Sequence, residues 1–279
     1  MIGVSPSFFF SKYTTDFSID DYIDGLSSLK KLGVESFQGE IYQKKRIEEW
    51  KDKSYKLASI SKSLNLKMNI FVAHFLIHVT ESFDSLFDES CFEDFAKVCA
   101  LVKANFLEVK TIIIPISRFE NKDIEKEEFS IIWERVVHIF KTFAQKAKEY
   151  DFNLALEILP GSIIGGSDGL LKLIEDTNAD NLGYNLDTGH AYCSGEILSL
   201  LPSKLNGKIY STHLKDNFGK ENLSLSLGKG DIDFKTLNQA LILSGYKGSY
   251  DLEISSNKEN VMMDYSIGVS YLRNNNIGN

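Results

Sequence analysis

The stretch NLALEILPGSIIGGSDGLLKLIEDTNADNLGYNLDTGHA (153–191) decides the fold. It opens on a short β-type run, NLALEIL (153–159), and closes on another, LGYNLD (182–187), with a longer segment between them. Short strands separated by longer connections read as strand, helix, strand, which is the unit of a parallel sheet. The same unit recurs on both sides. IGVS (2–5), VESFQGEI (34–41), LKMNIFVAHF (66–75) and VKTIIIPI (109–116) precede it, and KIYSTHL (208–214) and SYDLEI (249–254) follow.

The intervening segments carry helical patterns. In DDYIDGLSSLKKLG (20–33), Tyr22, Ile23, Leu26, Leu29 and Leu32 form an apolar face, and Gly33 supplies a stop. IIWERVVHIFKTFAQKAKEY (131–150) has one long apolar face and one charged face. DFKTLNQALILSGYKG (233–248) begins on the capping type Asp233 and ends among glycines. Eight strand–helix units with no linker or low-complexity segment predict a single α/β domain over residues 1–279, a (β/α)8 TIM barrel. A doubly wound open sheet would want a glycine-rich phosphate turn after an early strand, and IGVSPSFFF (2–10) is not one.

Composition narrows the partners. The 279 residues are 43% hydrophobic and 25% charged, as in ordinary globular proteins. A formal net charge of −8 argues against nucleic acid as the main partner, since phosphate binding draws on a basic face. Cys91, Cys99 and Cys193 lie in helix-like segments without metal-type spacing, which fits buried thiols in a reducing compartment. No signal-peptide pattern follows Met1, and no apolar run approaches the roughly 18 residues of a membrane span. The expectation is a cytoplasmic protein, without a nucleic-acid or membrane partner, that pairs with copies of itself or acts alone.

The chemistry lies where ionisable residues interrupt apolar strands. In the last four strands they do so near the C-terminal end: Glu157 in LALEIL, Asp187 in YNLDTGH, His213 in YSTHLKDN and Glu253 in YDLEIS. A barrel gathers those ends at one mouth, where the active sites of this fold are built. Three carboxylates and an imidazole aimed at one point repel unless a cation neutralises them. The set suits one divalent metal ion, Mn2+ first, with Mg2+, Co2+ or Zn2+ as alternatives. Alone, each carboxylate reads more often as a solvated or capping strand end, and His213 as a packed histidine; the register of all four favours the metal.

The C-terminal half resembles the xylose isomerase-like barrel superfamily, which includes sugar isomerases, ketose 3-epimerases, inosose dehydratases and apurinic endonucleases. The resemblance is carried by ALEILP (155–160), NLDTGHA (185–191), HLKDN (213–217), LGKGDIDF (227–234) and LEIS (252–255). It implies that Glu157, Asp187, His213 and Glu253 are metal ligands, that Glu157 and Glu253 share acid–base duty, and that His190 contacts substrate. Two departures bear on activity. The endonuclease branch has ligands where this chain has IIIPIS (112–117), Asn222 and Ser224. The ketose 3-epimerases carry a second Glu after the first ligand and an Arg after the ligand histidine; here PGSIIGG (160–166) follows Glu157, and no Arg stands near HLKDN.

Further candidates remain open between two readings each. His74 and Glu40, near the ends of the third and second strands, reach the mouth as substrate contacts or serve packing and solvation. Lys215 and Asp216 orient substrate hydroxyls or cap the next element. Phe8, Phe9 and Phe10, in the loop after the first strand, form a pocket wall or lid, or pack into the core or a subunit contact. The expected function is a divalent-metal-dependent sugar isomerase or epimerase that abstracts a proton beside a chelated carbonyl. An inosose-type dehydratase is the alternative, ahead of a non-catalytic sugar-binding barrel or an endonuclease.

Overall fold

The computed structural model describes residues 1–120 and 128–278. Eight parallel strands close into a barrel in chain order. They are β1 (Ile2–Val4), β2 (Ser36–Glu40), β3 (Lys67–Val72), β4 (Thr111–Ile116), β5 (Asn153–Ile158), β6 (Leu182–Asp187), β7 (Ile209–Leu214) and β8 (Tyr250–Leu252). The ring is sealed by β1 pairing with β8, Gly3 opposite Asp251.

The helices lie outside the sheet for the reasons their sequences carry. Helix Ile19–Leu32 starts on a capping box between Ser18 and Asp21 and stops at Gly33, whose φ of 73° is left-handed. Its Tyr22, Leu26, Leu29 and Leu32 are buried against the sheet. Helix Phe234–Leu243 is capped by Asp233, whose side chain accepts from the Thr236 amide. The phenylalanine run after β1 is not a loop. It is the helix Ser7–Tyr13, with Phe8 and Phe9 fully buried in the core and Phe10 half-buried at the mouth. A helix fits there because neighbouring residues point about 100° apart, which divides three adjacent rings between core and rim.

Residues two apart on a strand face the same side. The outward residues, such as Ile112, Ile114, Leu154 and Leu156, join one large core with the helices, while Ile70, Val72, Ile113 and Ala155 form a separate small cluster. Beneath each ionisable residue at the mouth sits the inward residue two positions earlier. Gln38 underlies Glu40, Asn185 underlies Asp187, Ser211 underlies His213, and Asp251 underlies Glu253; all four of these deeper residues are fully buried. The β2–β3 and β6–β7 registers each shift once, immediately before Gln38 and Asn185 respectively.

Candidate metal centre

Glu157, Asp187 and His213 stand in the C-terminal halves of β5, β6 and β7, with Asp187 paired directly with His213. Glu253 follows β8 by one residue but remains anchored, because its amide donates to the Leu214 carbonyl at 2.9 Å. One donor atom from each of the four lies within 4.8 Å of every other. First-row ions bind these atoms at about 2.0–2.2 Å, so donors around one ion stand about 3–4.5 Å apart. The spacing fits.

The surroundings of His213 strengthen the fit. Its Nε2 donates to Gln38 Oε1 at 2.9 Å. Its buried Nδ1 has no hydrogen-bond partner, although Glu253 Oε2, Glu157 Oε2 and Asp187 Oδ2 stand 2.6, 3.4 and 3.9 Å away. A lone pair facing three carboxylate oxygens calls for a proton or a metal cation among them. Burial opposes charge on this ring, but Glu253 and Glu157 outweigh it and hold His213 well above the usual imidazole range.

Charge balance points the same way. Lys215 is buried, with Nζ 2.8 Å from Asp187 Oδ2 and 3.0 Å from Glu253 Oε1. Its stem lies over Gly189, where an added Cβ would come within 2.7 Å of Lys215 Cε, so glycine is what lets it enter. Three carboxylates against one ammonium leave two negative charges, which two protonated histidines or one divalent cation would balance. Burial would raise Glu157, yet His213 and His190 reverse that and hold it well below the ordinary carboxylate range. Glu253 is likewise brought down to about 2, against its burial, by Lys215 and His213. Glu40 behaves oppositely: burial, then Glu157 and Glu253, push its carboxyl well up, towards the neutral form.

The remaining candidates gather at the same place. Glu40, His74, His190 and Lys215 line one cavity of about 190 Å3 with Glu157, His213 and Glu253. Phe10, Val72, Ile77, Pro115 and Leu159 form its apolar side. His190 Nε2 is 3.2 Å from Glu157 Oε1, and its Nδ1 meets Asn222 Oδ1 at 2.9 Å. Asp187 does double duty: its Oδ1 accepts from the His190 amide at 2.8 Å and caps the helix Thr188–Cys193. His74 stacks on Tyr42, with ring centroids 4.1 Å apart, and burial lowers its pKa to about 4.

Asp216 takes the capping role. Its carboxylate accepts from the amides of Asn217, Gly228, Gly230 and Ile232 at 2.9–3.1 Å. Sequence reasoning gave no site role to Gln38, which hydrogen-bonds His213, to Asn222, which meets His190, or to Asp251, which accepts from Gln38. The hint was their polarity at inward or loop positions beside the ligand strands.

A closed parallel barrel with a carboxylate-rich cluster at the C-terminal ends of its strands defines the class: a (β/α)8 barrel with a site that could hold a metal. Within that class the chain belongs to the xylose isomerase-like TIM barrel family, which it matches over residues 26–274. It is 30% identical over 129 residues to L-ribulose 3-epimerase of Mesorhizobium japonicum, covering 45% of this chain and 42% of that protein. It is 26% identical over 152 residues to inosose dehydratase of Geobacillus thermodenitrificans, covering 48% of this chain and 50% of that one. The match thus spans half or less of either relative's length. A solved structure of L-ribulose 3-epimerase superposes with a TM-score of 0.77 at 20% identity, over 98% of this chain and 93% of that one. These two relatives are named for an epimerase and a dehydratase activity. Among the described residues no helix is long and apolar enough to cross a membrane.

Proposed function

We propose that the chain is a divalent-metal-dependent isomerase or epimerase of a small sugar or related polyhydroxy carbonyl compound. The reading is carried by the convergence of Glu157, Asp187, His213 and Glu253 within 4.8 Å. The adjoining cavity of about 190 Å3 is smaller than the roughly 300–1,000 Å3 of drug-sized pockets, which favours a small substrate. Lys215 is the one Lys or Arg among the described lining residues, and it is committed to Asp187 and Glu253, which favours an unphosphorylated substrate.

Asp187 and His213 would hold the ion, with Glu157 and Glu253 completing its ligand set. A bound divalent ion supplies Lewis acidity at the substrate carbonyl, and Mn2+ is the ion we expect. Glu157 and Glu253, both held ionised, form the acid–base pair: Glu157 takes the proton from the carbon beside that carbonyl, and a proton is returned either by the carboxyl so formed or by Glu253 after it has taken one from water; such acid–base help is worth on the order of 10²–10⁴ in rate. Glu40, pushed towards its neutral form by burial and then by Glu157 and Glu253, lines the same cavity and would meet a substrate hydroxyl. His190, Lys215 and His74 complete the polar contacts around the same cavity.

The test is metal analysis of the purified protein, followed by a screen of keto sugars for metal-dependent exchange of a carbon-bound hydrogen with deuterated water. Glu157→Gln should lower exchange by about 10²–10⁴; full activity in that variant overturns its role as base. The similarity to inosose dehydratase favours one second reading, in which the same proton abstraction is followed by loss of water. Product analysis separates the two.

A further inference from the structure

The floor beneath the ligands holds a buried chain of hydrogen bonds with a defined direction. Asn69 Nδ2 donates to Ser249 Oγ at 2.8 Å, and the Ser249 hydroxyl donates to Asp251 Oδ2. Gln38 Nε2 donates to the same Oδ2 at 3.0 Å. Gln38 Oε1, at the other end of the amide, accepts from His213 Nε2 at 2.9 Å. Ser249, Asp251 and Gln38 are fully buried and His213 nearly so, so no solvent competes for these contacts.

Each link constrains the next. An amide has one donor end and one acceptor end. Asp251 Oδ2, accepting from Ser249 as well, holds the NH2 of Gln38 towards itself and leaves the amide oxygen facing His213. The order is unchanged if Oδ1 carries a proton, since Oδ2 receives both donors. His213 must then keep its hydrogen on Nε2, which leaves Nδ1 as the nitrogen free to ligate.

We propose that Gln38, held in one orientation by Asp251, is a positioning residue that fixes His213 with Nε2 protonated and aims its Nδ1 at the carboxylate cluster. The inference rests on the metal reading above and adds the part that sets the ligand's tautomer. The chain makes room for it at Gly3, where an added Cβ would fall 1.9 Å from Asp251 Oδ1. Outer partners of this kind are worth about 10–100-fold in metal affinity.

The experiment measures Zn2+ binding by competition with a chelating dye, together with the nitrogen-15 spectrum of the His213 ring in the Zn2+-loaded protein. The unaltered chain should show a hydrogen on Nε2 and none on Nδ1; a hydrogen on Nδ1 with a bare Nε2 overturns the proposal. Asp251→Asn presents an NH2 that can turn the Gln38 amide round, so Zn2+ affinity should fall by about 10–100-fold. The double variant Gln38→Glu with Asp251→Asn restores the direction of the chain with its groups exchanged, and most of the affinity should return. Unchanged affinity in the single variant, or no recovery in the double, overturns the relay while leaving the metal reading intact. No Zn2+ binding by the unaltered chain overturns both.

Discussion

The two sides of the barrel interior are built from different materials. Towards β3, β4 and β5 it is lined by Ile70, Val72, Ile113 and Ala155, a dry cluster held by packing. Around β6, β7, β8 and β2 it is lined by Asn185, Ser211, Asp251 and Gln38, joined through bonds such as Ser211 Oγ to Asn185 Oδ1 at 2.7 Å. Apolar packing constrains volume, whereas a buried polar network constrains direction, because a misdirected donor costs the desolvation of every group it leaves unpaired. Three of the four proposed ligands, Asp187, His213 and Glu253, stand on the polar side, where orientation decides whether a lone pair meets a cation. The apolar side continues upward into the wall of the cavity, where only shape is asked of it.

This contrast can be broken or sharpened by experiment. The largest effect is expected at the centre. Asp187→Ala removes a ligand and a helix cap together, and should weaken Mn2+ or Zn2+ binding by more than the roughly 100-fold expected of an outer partner; titration with either ion checks it. Next is Gly3→Ala, whose new methyl would collide with Asp251 and Ser36. Overpacking should cost about 1–3 kcal/mol in denaturant unfolding and should lower metal affinity as well, because Asp251 must move.

His74 gives a pH-dependent effect. The folded protein resists protonating this residue until about pH 4, whereas the unfolded chain takes the proton near 6.5. Stability contributed here is therefore lost as pH falls through that window. His74→Phe keeps a ring against Tyr42 but removes the proton site, so it should lose about 1–2 kcal/mol less than the parent between pH 7 and pH 5. Smallest is Ile113→Val on the dry side, costing about 0.5–1.5 kcal/mol with metal affinity unchanged. A change in affinity there would erase the distinction between the two sides.

The fold was legible because strand and helix signals alternate along the whole chain. The cluster of Glu157, Asp187, His213 and Glu253 was legible because an ionisable residue near the end of an apolar strand is conspicuous in one dimension. Gln38 and Asp251 were not. Each lies inside a strand beside a more conspicuous Glu, and each acquires meaning only from a partner 213 residues away, across the seam that closes the barrel. Asn222 reaches His190 from a connecting segment with no periodic pattern to place it. The Phe8–Phe10 run hid its helix because three adjacent aromatics carry no period; the division between core and rim appears only once neighbouring elements are in place.

Asp216 has a consequence for how the entrance behaves. By accepting four amides from a connection that runs to Ile232, and by pairing its backbone with Leu225 in both directions, it staples that side of the rim to the end of β7. Hydrogen exchange at the amides of Gly228, Gly230 and Ile232 should be slow, and this rim should act as a fixed doorpost. The opposite jamb is tied differently: the rings of Phe10, Tyr42 and His74 pack on one another, and the Phe75 amide donates to the Ile41 carbonyl beneath them.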